Sequence, residues 1–237
     1  MERDIIQNWC FERKISITAE VEGKFLLLGG LINKTNQKFN LTGLKTSGEI
    51  ISELIIKSID PVCDIIVPCG TRFIDLGSGA GIPGIVLAIF FKDFSGVLIE
   101  SNQKKAGFLK SALSELGLTG LEVVCERAEL IARMTEYRES FDWCFARAFG
   151  KLLITIELGA PFLKTGGCLY VYSNEQPGDM TEKMLVHAGE TGLCIMSHKE
   201  QVDLGLSGKG LCFKKERNIQ DQYPRKFAVI KREAEKA

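Results

Sequence analysis

Residues 75–84 read Asp-Leu-Gly-Ser-Gly-Ala-Gly-Ile-Pro-Gly, with four glycines in the last eight positions. They overlap the end of a short apolar run, Phe73 to Leu76, that is typical of a buried strand. Glycines after a strand let the chain turn tightly and bring backbone N–H groups against a ligand at the start of a helix. Pro83 suits the first turn of that helix, where its missing N–H costs nothing. The stretch therefore predicts a strand, a binding loop and a helix.

Strands and helices alternate from residue 71 onward. The predicted strands cover residues 73–76, 96–100, 121–125, 141–149 and 167–172, and the predicted helices cover residues 83–91, 104–116, 152–163 and 181–191. From Leu193 to about Ile230 long helical patterns are missing, and two closing strands, an antiparallel hairpin, are expected. Such spacing predicts a mostly parallel, seven-stranded sheet with right-handed crossovers, whose ligands bind at the carboxyl ends of the strands.

The first 68 residues have a different, helical pattern. Ile50–Ile59 forms a short amphipathic helix that Pro61 ends, and a longer apolar stripe precedes it at Val21, Phe25, Leu28 and Ile32. We therefore expect two parts, a helical N-terminal extension over residues 1–68 and an α/β domain over residues 69–237.

Composition excludes several classes of protein. Thirty basic and thirty acidic residues give a net charge of zero, which disfavours a general polyanion binder. The longest apolar run, Ile85 to Phe91, is too short to span a membrane, and the first residues lack the plan of a secretion signal. The eight cysteines have no zinc-site spacing, so no metal is expected, and reduced cysteines fit the cytoplasm.

The glycine loop allows two interpretations. Residues 79–84 fit G-x-G-x-x-G, the dinucleotide pattern, which alone is a weak signal. The longer frame D-x-G-x-G-x-G, with Asp75 two residues before Gly77, resembles motif I of S-adenosylmethionine-dependent methyltransferases. Glu100 ends the second predicted strand, where a carboxylate can accept both ribose hydroxyls of an adenosine in either cofactor class. Loop geometry therefore predicts Gly79, Gly81 and Glu100 as cofactor-binding residues.

Together the motifs resemble one family. In order and spacing the chain is similar to the RsmG (GidB) family, bacterial methyltransferases that modify guanine N7 in small-subunit (16S) ribosomal RNA. The resemblance rests on residues 75–84, 98–109, 127–129 and 146–149, and it extends to 33–42, 161–167 and 223–225. It covers roughly residues 20–227.

The resemblance implies a Rossmann-like class I methyltransferase core behind a helical N-terminal extension, with S-adenosylmethionine as cofactor. It implies methylation of guanine N7 at the family's guanine 527 site, with 16S rRNA or the small ribosomal subunit as partner. With the composition, which disfavours a membrane span and a metal site and fits the cytoplasm, we expect a cytoplasmic monomer. Arg127 and Arg147 are predicted as catalytic residues. The cofactor contacts carried over from the family are Gly77, Ile82, Ala128, Glu129 and Arg147.

The residues after the predicted strands also bear on which acceptor atom is methylated. Methyltransferases that modify exocyclic amines usually carry the motif N/D-P-P-Y after the fourth strand. At that position, residues 146–149, this chain reads Ala-Arg-Ala-Phe, which disfavours that class. Cytosine C5 needs a cysteine nucleophile, and Cys69 precedes the first strand. Guanine N7 has a free lone pair and needs no base, and Phe149 is a candidate to stack on it. An NAD-type oxidoreductase, a methyltransferase with another acceptor and a cofactor-binding protein without catalysis stay open.

The expected RNA side departs from the family. Residues 209–237 hold nine basic and four acidic residues, and the cations Arg225, Lys226, Lys231 and Arg232 are expected to meet phosphates. Where relatives carry His-x-x-Asp-Ser, residues 54–58 read Leu-Ile-Ile-Lys-Ser. Ser173 takes the place of a lysine common after the fifth strand, and the tail after Arg225 lacks the usual Gly/Pro/Lys pattern.

Overall fold

The computed structural model describes residues 1–207 and 209–236 and contains one seven-stranded sheet. The strands are β1 Arg72–Leu76, β2 Ser95–Ile99, β3 Leu121–Val124, β4 Phe141–Arg147, β5 Leu163–Tyr172, β6 Leu193–Ile195 and β7 Leu211–Lys215. Their order across the sheet is β3-β2-β1-β4-β5-β7-β6. The first five pair in parallel, whereas β7 runs antiparallel to β5 and β6. The predicted seven-stranded, mostly parallel α/β fold is confirmed.

Helices lie before the sheet and between its strands. Those before β1 are α1 Glu2–Arg13, α2 Ala19–Asn36, α3 Ser47–Glu49 and α4 Lys57–Ile59, and a π-helical segment, Ile50–Ile56, joins α3 to α4. Those after β1 are α5 Gly84–Phe90, α6 Gln103–Leu116, α7 Ala128–Ile131, α8 Leu152–Gly159, α9 Glu182–Glu190, α10 His198–Asp203 and α11 Phe227–Ala234. In the described part of the chain, each helix is too short or too polar to cross a bilayer.

Polar side chains fix where several helices begin. Asn102 precedes α6, and its Oδ1 accepts hydrogen bonds from the backbone N–H groups of Lys104 and Lys105 at 3.0 and 3.2 Å. Thr46 and Glu49 form a capping box at α3, in which each side chain accepts from the other's backbone N–H. These caps satisfy N–H groups that have no partner inside the helix.

Two hydrophobic cores cover the two faces of the sheet. Alternate β4 residues point to opposite faces, so Phe145 packs in the core that includes α2, the π-helical segment and α5, while Cys144 packs in the core with α8. Trp143 stacks on Phe145 with ring centroids 5.5 Å apart. The helices of the N-terminal extension therefore share one core with a face of the sheet.

Several elements differ from the sequence-based expectation. Strand β5 begins at Leu163 rather than at residue 167, because Leu163 pairs with Phe141 across a register shift. The two closing strands are antiparallel as predicted, but the short helices α7, α10 and α11 were not anticipated. Helix α11 buries Ile230 and Ala234 and has only 8 residues, whereas a helical period is recognised over windows of about 11–18 residues.

The strand order locates a binding crevice. The chain runs outward from β1 through β2 to β3 and then returns to pair β4 on the other side of β1. Connections leave β1 and β4 in opposite directions, which opens a crevice at their carboxyl ends. Gly77 follows β1 and Ala148 follows β4 at this point.

Candidate functional site

The glycine loop after β1 adopts backbone angles that favour glycine. The φ angles of Gly77, Gly79 and Gly81 are +68°, +55° and +83°, in the region that residues with a Cβ rarely adopt. At Gly77 space is limiting as well, because a Cβ there would lie 2.7 Å from Cδ2 of Phe149. The loop is fixed to the sheet by Ser78, whose N–H donates to the carbonyl of Ile99 at 2.9 Å.

A buried carboxyl group ties the end of β1 to the start of α5. Asp75 is fully buried, and its Oδ2 accepts a hydrogen bond from the Gly84 N–H at 3.0 Å, while Oδ1 has no partner. Burial raises the pKa of Asp75 to about 7, although the hydrogen bond opposes the shift. Both protonation states of this carboxyl are therefore populated near neutral pH.

Glu100 connects the end of β2 to the glycine loop. Its side chain is 7% exposed. Oε2 accepts from the Gly79 N–H at 3.0 Å and Oε1 accepts from the Asn102 N–H at 2.7 Å. Because a carboxylate has about four acceptor sites, each oxygen retains capacity for a hydroxyl donor.

A cavity of about 480 Å³ opens where β1, β2 and β4 end, within the size range of small-ligand sites. We call it the cofactor cavity. Its lining combines apolar side chains with a few polar groups, namely Gly77, Ile99, Ser101, Glu126, Arg127, Ala128, Glu129, Phe149, Gly150, Ile154, Leu158 and Phe227.

Arg127 joins two walls of this cavity. Its Nη2 lies 2.6 Å from Oε1 of Glu129, and its guanidinium lies 5.0 Å from the ring centroid of Phe227 on α11. The arginine side chain is 54% exposed, so the ion pair contributes little stability and can rearrange around a ligand.

The structure brings most of the predicted site residues to this region, at different depths. Gly77, Arg127, Ala128 and Glu129 line the cofactor cavity, and Gly79 and Glu100 are hydrogen-bonded to each other beside it. The other two predicted residues of the glycine loop, Gly81 and Ile82, do not line the cavity. The N–H groups of Gly81 and Ile82 donate to the Ser78 carbonyl at 2.7 and 3.0 Å, so these two residues shape the turn into α5.

Arg147 lies apart from that cluster. It shares the face of β4 with Phe145, and its guanidinium donates to the carbonyls of Glu53 and Leu54 at 2.5 and 3.0 Å and to Oγ of Ser58 at 2.6 Å. These groups belong to the π-helical segment and α4. Arg147 therefore joins the sheet to the N-terminal extension and lines a neighbouring cavity.

The basic tail is partly internal. Lys215 is fully buried, its Nζ donates to the Ala160 carbonyl at 2.7 Å, and burial lowers its pKa to about 8. Arg225 forms ion pairs with Glu157 and Glu233, with N–O distances of 2.6 and 2.8 Å. Arg225 is thus occupied by internal carboxylates and is removed from the predicted phosphate-binding set.

Several lining residues were not found from the sequence. Phe227 was missed because α11 was missed. Ser101 lies in the stretch 98–109 that carries the family resemblance but was not singled out there, and Ile154 and Leu158 look like ordinary core positions of a helix. These residues have in common only that the fold brings them close to the crevice, and the sequence pattern does not show such proximity. Among the described residues, no group of three potential ligands suits a metal ion.

Comparison with known proteins identifies the family. The family model GidB, described as rRNA small subunit methyltransferase G, matches residues 22–211. The chain belongs to the GidB family. A GidB-family protein of Mycoplasma capricolum, "Ribosomal RNA small subunit methyltransferase G", is 31% identical over 223 residues, which cover 94% of this chain and 95% of the relative.

Further relatives extend over similar lengths. The protein of the same name from Dictyoglomus thermophilum is 31% identical, covering 95% of this chain and 94% of the relative. The one from Nitrosococcus oceani is 40% identical, covering 72% and 76%. Among solved structures, the [4+2]-cyclase SpnF matches with a TM-score of 0.51 at 16% identity, covering 81% of this chain and 93% of that one. That likeness concerns the fold alone.

Proposed function

We propose that this GidB-family chain transfers a methyl group from S-adenosylmethionine to N7 of a guanine in 16S rRNA, at the guanine 527 site implied by the family. The observation that carries the proposal is the cofactor cavity at the switch point of the sheet, where the glycine loop, Glu100 and Phe149 meet. We propose further that the protein works in the cytoplasm as a monomer, with 16S rRNA or the small ribosomal subunit as its substrate.

The residues at the cavity fit the proposed cofactor. S-adenosylmethionine supplies an activated methyl group on a sulfonium. On the protein side, Gly77 leaves room beside Phe149, and Glu100 retains acceptor capacity for ribose hydroxyls. Ala128 and Glu129 line the cavity after β3, where the adenine is expected. Gly79, Gly81 and Ile82 would then hold the shape of the loop.

The sheet favours this cofactor over NAD. A dinucleotide-binding Rossmann fold has a second parallel half beyond the switch point. In the part of the chain that the structure describes, β5 is followed across the sheet by the antiparallel strand β7, and β6 completes the edge. The second mononucleotide-binding half is therefore not built from these elements.

The side chains that line the cavities are compatible with guanine N7 as the methyl acceptor. Transfer to N7 requires positioning of a free lone pair, and no proton has to leave first. No histidine lines the cofactor cavity or the cavity beside it within the described residues. Phe149 lines both cavities, so its aromatic ring is available to a base that enters the cavity beside the proposed cofactor. This arrangement supports stacking of the base on Phe149.

The two predicted catalytic arginines receive different roles in this proposal. Arg127 lines the cofactor cavity and is assigned to the reaction site. Arg147 is proposed as a positioning residue that fixes the extension, residues 1–68, against the end of β4. Its predicted contact with the cofactor stays a prediction.

Methylation in vitro followed by mapping tests the proposal. Purified protein is incubated with S-adenosylmethionine and either deproteinised 16S rRNA or small subunits from cells lacking this gene, and the digested RNA is analysed by mass spectrometry. We expect 7-methylguanosine at one position. Methylation of another atom, or calorimetric binding of NAD in place of S-adenosylmethionine, would contradict the proposal.

A further inference from the structure

Three cavities lie in a row along the carboxyl edge of the sheet. The middle one, of about 230 Å³, shares Phe149 and Gly150 with the cofactor cavity. The outer one, of about 490 Å³, shares Tyr172 and Ser173 with the middle one. We call it the extension cavity, and it is lined by Lys57, Asp60, Pro61, Arg147, Ala148, Tyr172, Ser173, Asn174 and Lys209. An RNA strand whose target base enters the middle cavity has the extension cavity on one side of that base.

Three cations from separate parts of the chain meet in the extension cavity. Lys57 belongs to α4, Arg147 to the end of β4 and Lys209 to the segment before β7. The segment that holds Lys209 reaches the cavity because it packs on the end of the N-terminal extension. There the Ser207 N–H donates to the Pro61 carbonyl at 2.9 Å. The fold thus gathers positive charge there, although the chain as a whole is neutral.

The three cations are not equally available. Arg147 uses its guanidinium to hold the extension, as described above. Lys57 and Lys209 have side chains that are 61% and 73% exposed, and their partners are Glu53 at 2.5 Å and Asp60 at 3.4 Å. Exposed ion pairs of this kind are worth about 0–1 kcal/mol, so a phosphate can replace the carboxylate partner at little cost.

We propose that the extension cavity binds the phosphate backbone of the RNA beside the target guanine, with Lys57 and Lys209 donating to phosphate oxygens. The inference rests on the proposed function and adds a location for the RNA. Lysine ammonium groups are compact charges with three donors and recognise phosphate without reading sequence. Contacts to phosphate fix the register of a nucleic acid, while the target base is recognised elsewhere, here in the middle cavity.

The test is the salt dependence of RNA binding. The double variant Lys57→Gln/Lys209→Gln is compared with wild type in equilibrium binding to 16S rRNA across a salt series. Two lost phosphate contacts should flatten the slope of log K against log salt by about 1.4, a loss of about 25-fold at 0.1 M salt that fades toward 1 M. Affinity for S-adenosylmethionine, measured by calorimetry, should not change.

A matched variant controls for the loss of two charges. Lys110→Gln/Lys199→Gln removes two exposed lysines, on α6 and α10, that line none of the three cavities. It should leave the slope within about 0.3 of the wild-type value. An unchanged slope in the Lys57/Lys209 variant, or an equal change in both variants, would overturn the inference. Binding is read independently of methylation, so absence of 7-methylguanosine with wild type would instead refute the proposed function.

Discussion

Replacing Arg225 with methionine should destabilise the protein by about 3 kcal/mol at pH 7, because it leaves a buried carboxylate without its main partner. Glu157 is fully buried, and Arg225 donates to it from Nη2 at 2.6 Å, from Nε at 3.0 Å and from the backbone N–H at 2.7 Å. His187 Nε2 lies 3.3 Å from the same carboxylate. Removing one partner of a buried ion pair typically costs about 3–5 kcal/mol.

The pKa of Glu157 gives the same order of magnitude. Burial alone would raise it, but His187 and Arg225 outweigh burial and lower it to about 2, from 4.5. At about 1.4 kcal/mol per pKa unit, the network of Arg225 and His187 together contributes about 3.5 kcal/mol. Since the folded-state pKa is the lower one, this contribution is present above about pH 4.5 and is lost as the pH falls toward 2.

The loss of stability is measured by urea unfolding, with circular dichroism as the signal for the folded state. The free energy of unfolding of Arg225→Met should be lower than that of wild type by about 3 kcal/mol from pH 6 to 8. The difference should narrow at lower pH, because burial raises the pKa of Glu157 once the arginine is gone and the variant takes up a proton there before wild type does. Arg232→Met, which replaces an exposed arginine on α11, should change stability by less than about 0.5 kcal/mol. Adding Glu157→Leu to Arg225→Met should recover more than half of the loss. A loss below about 1 kcal/mol, or a double variant no better than the single one, would refute the reasoning.

The other predictions concern the cofactor cavity. Gly77→Val should abolish S-adenosylmethionine binding in calorimetry, because the Cβ meets Phe149 and the positive φ disfavours valine; retained affinity would contradict this. With the pKa of Asp75 raised to about 7, wild type loses up to about 1.4 kcal/mol per pH unit between about pH 4 and 7. The stability of Asp75→Asn relative to wild type should therefore rise over that window, and a constant difference would refute the assignment. Single-turnover methylation should be nearly flat from about pH 6.5 to 8.5, and a steep rising limb would indicate a general base.

Local patterns were sufficient for the glycine loop. The run from Asp75 to Gly84 predicted a strand, a tight turn and a helix, and the structure has all three because strand burial and left-handed glycines are determined by neighbouring residues. The resemblance to the GidB family depended on the same local stretches, and the family match confirmed it.

Long-range packing limited the other predictions. The family resemblance implied that Arg147 contacts the cofactor, which stays a prediction, but no local pattern indicated its contacts with the N-terminal extension, which follow from strand alternation on the face of Phe145. Arg225 looked like one cation of a basic tail, and only the fold shows that Glu157, 68 positions earlier, holds it. Phe227 reaches the cofactor cavity on a helix of 8 residues, which is too short for its period to be recognised in the sequence.

Two departures from the family pattern meet in the extension cavity. Where that pattern has aspartate and, after the fifth strand, lysine, this chain has Lys57 and Ser173, and the structure places both in one lining. Compared with the family pattern, this chain therefore keeps one lysine at these two positions of the cavity lining. That lysine lies on the N-terminal extension, at position 57, instead of after β5, at position 173. Lys57→Asp alone should flatten the salt slope of RNA binding by about 0.7. Adding Ser173→Lys to that variant should restore the slope, since the new ammonium lies in the same cavity. If the double variant binds RNA no better than Lys57→Asp, the two positions do not substitute for each other and the cavity is not where this charge acts.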